Sequence, residues 1–183
     1  WILKDLMSTK RVNLMVEETY SAGLISQSFW FVEMKKVIKL IDDGKSEEEI
    51  KKMCIEAATI LPQDVEKALS QKHDEEDSAL AQKTLQVLMD NAKLAQEKQM
   101  PICQDTGMAF VYVTMGQEVH ITGGSLNEAI QEGVRQGYTE GYLRKSVVKD
   151  PLFERTNTKD NTPAIIYYDI VEGDTFHITL APK

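Results

Sequence analysis

Apolar residues first recur at helical spacing over residues 46–61, "SEEEIKKMCIEAATIL". There Ile50, Met53, Cys54, Ala57 and Leu61 fall on one face. Ser46 and Glu49 have the spacing of a capping box, which predicts the helix start. Pro62 ends this run and permits a fresh start, so "QDVEKALSQ" reads as a short second helix and "KHDEEDS" as a polar connector. Residues 79–98 carry a third helical pattern, with Leu80, Leu85, Leu88, Ala92 and Ala95 directed to a core. After Pro101 the period changes. "MAFVYVTM" and "QEVHIT" read as strands, and Gly123 and Gly124 stop them. Ser125 with Glu128 then caps a fourth helix, "LNEAIQEGVRQGYTEGY", which carries three glycines. The polar stretch "LRKSVVKDPLFERTNTKDNTPA" is long for a plain connection, and loops of such length are more often functional. "AIIYYDIV" and "TFHITLA" predict a closing hairpin across "EGD". The pattern as a whole predicts an α+β fold, a helical N-terminal half packed against a strand-rich C-terminal half with a mixed sheet.

Length adds a boundary. A chain of 183 residues suits one domain with an appendage. It opens on Trp1, whereas Met34 precedes "KKVIKLIDDG", which looks like a natural start. Residues 1–33 are therefore expected to be a tag or non-native extension. Residues 34–183 are expected to be the domain proper, helical over 34–100 and α/β over 101–183. The net charge of −8 excludes a nucleic-acid backbone as the main partner, because phosphate binding needs clustered Lys and Arg. The most apolar stretch, "GLISQSFWFVEMKKVIKLI", is interrupted by Glu33, Lys35, Lys36 and Lys39, so no membrane span is expected. Cys54 and Cys103 lie too far apart in sequence to suggest a disulfide framework, which points to a reducing, cytoplasmic setting.

The candidate chemistry centres on "PICQDTG", residues 101–107. Pro101 stiffens the backbone before the cysteine, and Gly107 lets it turn. Between them Cys103, Gln104, Asp105 and Thr106 place a thiol, an amide, a carboxylate and a hydroxyl on consecutive residues. Three readings stay open from these residues alone. Cys103 is a metal or iron–sulfur ligand, or a nucleophile paired with a histidine such as His120, or an incidental cysteine in a turn. Cys54, on the apolar face of the first helix, reads as a small buried hydrophobe. His73, in the charged connector, reads as solvated, and His120 and His177 as strand histidines. The glycine pair at 123–124 ahead of a capped helix fits an anion site or a plain strand-to-helix turn. Arg144 fits a carboxylate fork or a basic complement to a helix end.

"PICQDTG", then "GG" before a helix, then "LRKSVVKDPLFERTNTKDNTPA", then a closing segment ending "LAPK", resemble the iron–sulfur-dependent (class I) fumarate hydratases. The likeness is to the α-subunit or N-terminal domain, shared with L-tartrate dehydratase. It covers roughly residues 46–183 and does not extend to 1–33. The resemblance implies a hydro-lyase that reversibly hydrates fumarate to malate, or dehydrates a related 2-hydroxy diacid such as tartrate. It implies a [4Fe–4S] cluster held by three cysteines, with one iron open to substrate. By that resemblance Cys103 is a cluster ligand, Gln104 and Arg144 bind substrate, and Asp105 transfers a proton. Its partners would be a small dicarboxylate and a β-subunit or C-terminal domain, with room for a homo-oligomer. With only two cysteines, the chain is expected to be an N-terminal fragment that lacks the cluster and is inactive alone. The rival from another class is a stand-alone carboxylate-binding module without a redox cofactor. A third reading, a Cys103 nucleophile, would require a thiol of lowered pKa.

Overall fold

The computed structural model of the chain describes residues 32–34 and 45–182. Its elements are β1 (Val32–Met34), α1 (Lys45–Thr59), α2 (Gln63–Glu75), α3 (Ala79–Lys98), β2 (Ala109–Gly116), α4 (Leu126–Glu140), β3 (Ile165–Val171) and β4 (Phe176–Pro182). The expected boundary between residues 33 and 34 falls inside β1. The expectation for the remainder of 1–33 lies outside the described residues.

The fold is α+β. Among the described residues four strands form one mixed sheet in the order β1-β4-β2-β3. β2 runs parallel to β3 and antiparallel to β4. Alternation along β2 follows from this placement. Ala109, Val111 and Val113 are buried, while Tyr112 between them is exposed on the opposite face. Helices α1 and α4 cover the buried face. Ile50 and Cys54 of α1, Ile130, Val134 and Tyr138 of α4, and Leu180 of β4 share one core with Val111 and Val113.

The closing hairpin does not form. β3 and β4 are consecutive in sequence but lie on opposite sides of β2. The "EGD" connection instead crosses the end of β2. The Thr175 carbonyl accepts from Gly116 N at 2.6 Å, the Val171 carbonyl from Gln117 N at 2.9 Å and the Gly173 carbonyl from Glu118 N at 2.9 Å. A side chain at 116 would run into the Gly173 carbonyl, so glycine there is what admits the crossing. The same cap ends the strand, and "QEVHIT" is a turn and irregular segment rather than a second strand. His120 is accordingly a loop residue and exposed.

Three helix expectations also change. α2 runs on through Lys72, His73, Asp74 and Glu75, so the first four residues of the expected "KHDEEDS" connector are helical. α1 begins at Lys45, and Ser46 Oγ bonds Glu47 Oε2 at 2.9 Å, so Ser46 with Glu49 does not cap it. In α3 only Ala92 and Ala95 are buried, whereas Leu80 and Leu88 are exposed. α2 and α3 pack against each other as a helical hairpin, and only the C-terminal end of α3 reaches the body. There Asn91 Nδ2 donates to the Ile102 carbonyl at 2.9 Å. The capping of α4 is as expected, with Ser125 Oγ accepting from Glu128 N at 3.3 Å.

Candidate functional site

Residues 101–107 lie between the end of α3 and the start of β2, and the protein fastens them at several points. Gln99 takes a left-handed conformation, φ 51°, and closes α3. Ile102 N then donates to the Ala58 carbonyl in the last turn of α1 at 2.9 Å. Asp105 Oδ1 accepts from Gly107 N at 3.2 Å, an Asx turn that tightens the loop. Gly107 itself has φ 55°, the left-handed region that suits glycine. The outcome is a sharp division. Cys103, Gln104 and Asp105 are exposed, while Thr106 and Gly107 are buried anchors.

The long loop after α4 is folded rather than slack. Val148 and Asn157 form a bridge, Thr158 N donates to the Val147 carbonyl at 3.0 Å, and Lys149 N to the Thr156 carbonyl at 2.8 Å. Asp150 Oδ1 accepts from Leu152 N and Phe153 N and turns the tip. The far end is pinned by Gln131 of α4. Its amide donates to the Ala164 carbonyl at 3.1 Å and accepts from Ala164 N at 2.7 Å.

These two segments meet. Thr106 Oγ1 donates to the Arg144 carbonyl at 3.0 Å, across 38 residues of sequence. Tyr138 Oη donates to the Thr106 carbonyl at 2.9 Å. Asn161 Nδ2 donates to the Gly107 carbonyl at 2.9 Å, while Asn161 Oδ1 accepts from Ser146 N at 2.6 Å and Val147 N at 3.1 Å. The sequence-predicted residues Cys103, Gln104, Asp105 and Arg144 are thus carried by two loops bonded to one another. Arg144 is exposed, and its guanidinium has no ion-pair partner among the described residues. An exposed guanidinium of this kind is suited to a ligand carboxylate.

Sequence reasoning named Thr106 only as a hydroxyl of the candidate loop and missed that it, Tyr138 and Asn161 hold the loops together. Tyr138, Asn161 and Thr106 are buried, and burial pushes the Tyr138 hydroxyl well above the usual tyrosine range, so it stays a donor. A signal existed for Asn161, since an amide in a polar loop can replace a backbone partner, but spacing does not say which asparagine is buried.

The two thiols differ in kind. Cys54 is 1% exposed, and burial pushes its thiol far up, so it is inert as a ligand or nucleophile. Cys103 is exposed and free. Among the described residues no group of three or more His, Cys, Asp or Glu is gathered as a metal site. The described residues therefore offer a cluster one reachable thiol, which does not fit a whole iron–sulfur cubane.

A family model described as fumarate hydratase (Fumerase) matches residues 47–183. The chain belongs to the fumarate hydratase family. A second model, described as BrxA, matches residues 18–72, a minority of the chain. Relatives agree with the first. A Methanocaldococcus jannaschii protein named "Putative L(+)-tartrate dehydratase subunit alpha" is 35% identical over 132 residues, 70% of this chain and 46% of that protein. The L(+)-tartrate dehydratase subunit alpha of Escherichia coli (strain UTI89 / UPEC) is 27% identical over 66% of this chain and 40% of its own length. "Fumarate hydratase class I, anaerobic" of Escherichia coli (strain K12) is 30% identical over 61% of this chain and 20% of its own length. The match thus spans under half the length of each of these relatives. The matched residues 47–183 include both loops of the site.

Proposed function

We propose that this fumarate hydratase family segment forms one wall of a hydro-lyase site for a 2-hydroxy diacid such as malate or tartrate. In this reading Arg144 and Gln104 hold substrate carboxylate, and Asp105 holds or moves a proton beside the carbon that gains or loses it. Cys103 supplies one thiolate to a [4Fe–4S] cluster, and the remaining cluster ligands come from polypeptide other than the described residues. A β-subunit or C-terminal domain completes the enzyme, which works in a reducing cytoplasm. The observation that supports the reading is the Thr106–Arg144 bond, because it fastens the Arg144 backbone and the Cys103–Asp105 groups on adjoining loops. Dianion recognition needs a fixed cation, and an arginine fork matches a carboxylate better than lysine does.

The test is anaerobic reconstitution of the full-length protein with its partner, followed by assays with malate, fumarate and tartrate. Turnover of at least one diacid is expected, together with loss of turnover and of the cluster absorbance in Cys103→Ser. The 183-residue chain alone is expected to hold no stable cluster and to be inactive. The same Cys103→Ser change separates the rival binding module. Tight diacid binding by the isolated chain, measured by calorimetry and unaltered by that change, would favour the module instead.

A further inference from the structure

The Asn161 side chain is fully buried, at 0% exposure, in a loop whose neighbours Asp160 and Thr162 are only partly buried. Asn161 takes φ 63°, a left-handed conformation that asparagine tolerates and most residues do not. Its side chain is used on both sides. Oδ1 receives the Ser146 and Val147 amides, which directly follow Arg144 and Lys145. Nδ2 reaches the Gly107 carbonyl, 54 residues away at the end of the Cys103 loop. No buried side-chain polar atom among the described residues lacks a partner, and besides joining the two loops the Asn161 side chain also bonds the Tyr138 hydroxyl of α4. A buried amide bridging two loops fixes one geometry, because releasing either end leaves a desolvated carbonyl or pair of amides unpaired.

We infer that Asn161 is a positioning residue that sets the Arg144 fork relative to the Cys103–Asp105 loop, its two ends governing separate parts of the site. The inference rests on the hydro-lyase reading for its kinetic consequence, not for the clamp itself. Asp at 161 keeps the oxygen that accepts from Ser146 and Val147. It places a second oxygen against the Gly107 carbonyl, so the Arg144 loop is held and the Cys103 loop is released. Gly at 161 keeps the left-handed backbone and releases both.

The experiment uses the complete enzyme with its partner and compares wild type, Asn161→Asp and Asn161→Gly. Asn161→Asp is expected to lower kcat at least tenfold and to raise KM by no more than about threefold, because Gln104 rides on the released loop while the Arg144 loop stays held. Asn161→Gly is expected to raise KM for the diacid at least tenfold as well, and to weaken calorimetric binding of succinate by a similar factor. Hydrogen exchange at the Ser146 and Val147 amides should speed up in Asn161→Gly and stay near wild type in Asn161→Asp. A role confined to stability would lower the melting temperature and leave kcat, KM and succinate affinity within twofold, which overturns the inference. Where Asn161→Gly does not fold, Thr106→Val takes its place. It removes the hydroxyl that bonds the Arg144 carbonyl at similar volume. An unchanged KM in that variant counts against the inference, and a tenfold rise supports it. Should wild type turn over no diacid, the hydro-lyase reading fails, while the exchange comparison still decides whether the clamp exists.

Discussion

At the scale of single residues, environment separates two thiols of the same chemistry. Cys54 sits in a helical apolar pattern and is buried. Cys103 sits in a loop, where no period decides which side chains face inward. Its burial pattern, exposed over 103–105 and buried over 106–107, comes from tertiary bonds to residues 32, 38 and 54 positions away. Asp160 shows the same dependence. Burial alone would raise its carboxyl, but the Thr162 amide at 3.0 Å and hydroxyl at 2.8 Å, the Thr158 hydroxyl and the Arg135 charge outweigh it and hold the carboxyl below its ordinary value. A lowered folded-state pKa stabilises above the unfolded value and loses that contribution as pH falls through the lowered one. Acidification below the ordinary value of 3.8 is therefore expected to loosen the 158–164 turn. Proton titration with hydrogen exchange at Thr162 and Ala164 measures it. Asp160→Asn should flatten the acid limb, and an unchanged limb would remove Asp160 from the account.

At the scale of elements, helices were legible and strand order was not. The α3 limits, Ala79–Lys98, agree with the periodicity over 79–98, because a 3.6-residue pattern with a serine cap is a local property. Strand pairing is not local. The short "EGD" link suggested a hairpin, yet β3 and β4 flank β2, since Gly116 lets the link pass over the strand end. The three glycines of the fourth helical segment had no reason in the sequence and have one in the packing. A Cβ at Gly133 would lie 2.5 Å from Ile50 Cβ, and one at Gly137 would lie 2.6 Å from Cys54 Cβ. One at Gly141 would lie 2.8 Å from Ile55 Cγ1. Spaced by four, they form a shallow groove into which α1 settles, with backbone close to backbone. Gly137→Ala gains helix propensity but must push α1 away, and overpacking of this kind costs about 1–3 kcal/mol. With about 1 kcal/mol returned by helix propensity, the net expectation is a fall in melting temperature of up to about 8 °C by calorimetry, at about 2–4 °C per kcal/mol for this size. A rise would mean that α1 is free to shift, and would discount the groove.

At the scale of the whole molecule, the protein divides by how it buries surface. The sheet with α1 and α4 supplies all of the core cluster except Leu143 and Ala164 in the adjoining loop, whereas α2 buries none and α3 only Ala92 and Ala95. The amphipathic pattern of residues 79–98 led to the expectation of a core-facing helix. The apolar stripe is real, but α2 and the body together cover only part of it, leaving Leu80, Val87, Leu88 and Leu94 exposed. Few buried apolar contacts mean a low free energy of local opening. The α2–α3 hairpin should therefore exchange its amides by local unfolding, while β2, β4, α1 and α4 exchange only near the global limit. The one graded exception is the end of α3, tied down by Ala92, Ala95 and the Asn91 bond to Ile102. Hydrogen exchange followed by mass spectrometry should show protection rising along α3 from residue 79 to residue 95. The Cys103 loop hangs from that protected end and from α1, so it belongs with the stable layer although it is exposed. If the whole of α3 exchanged as slowly as β2, the hairpin would be part of the stable unit. If the amides of 102–107 exchanged with α2, the anchoring of the site to the core would be wrong.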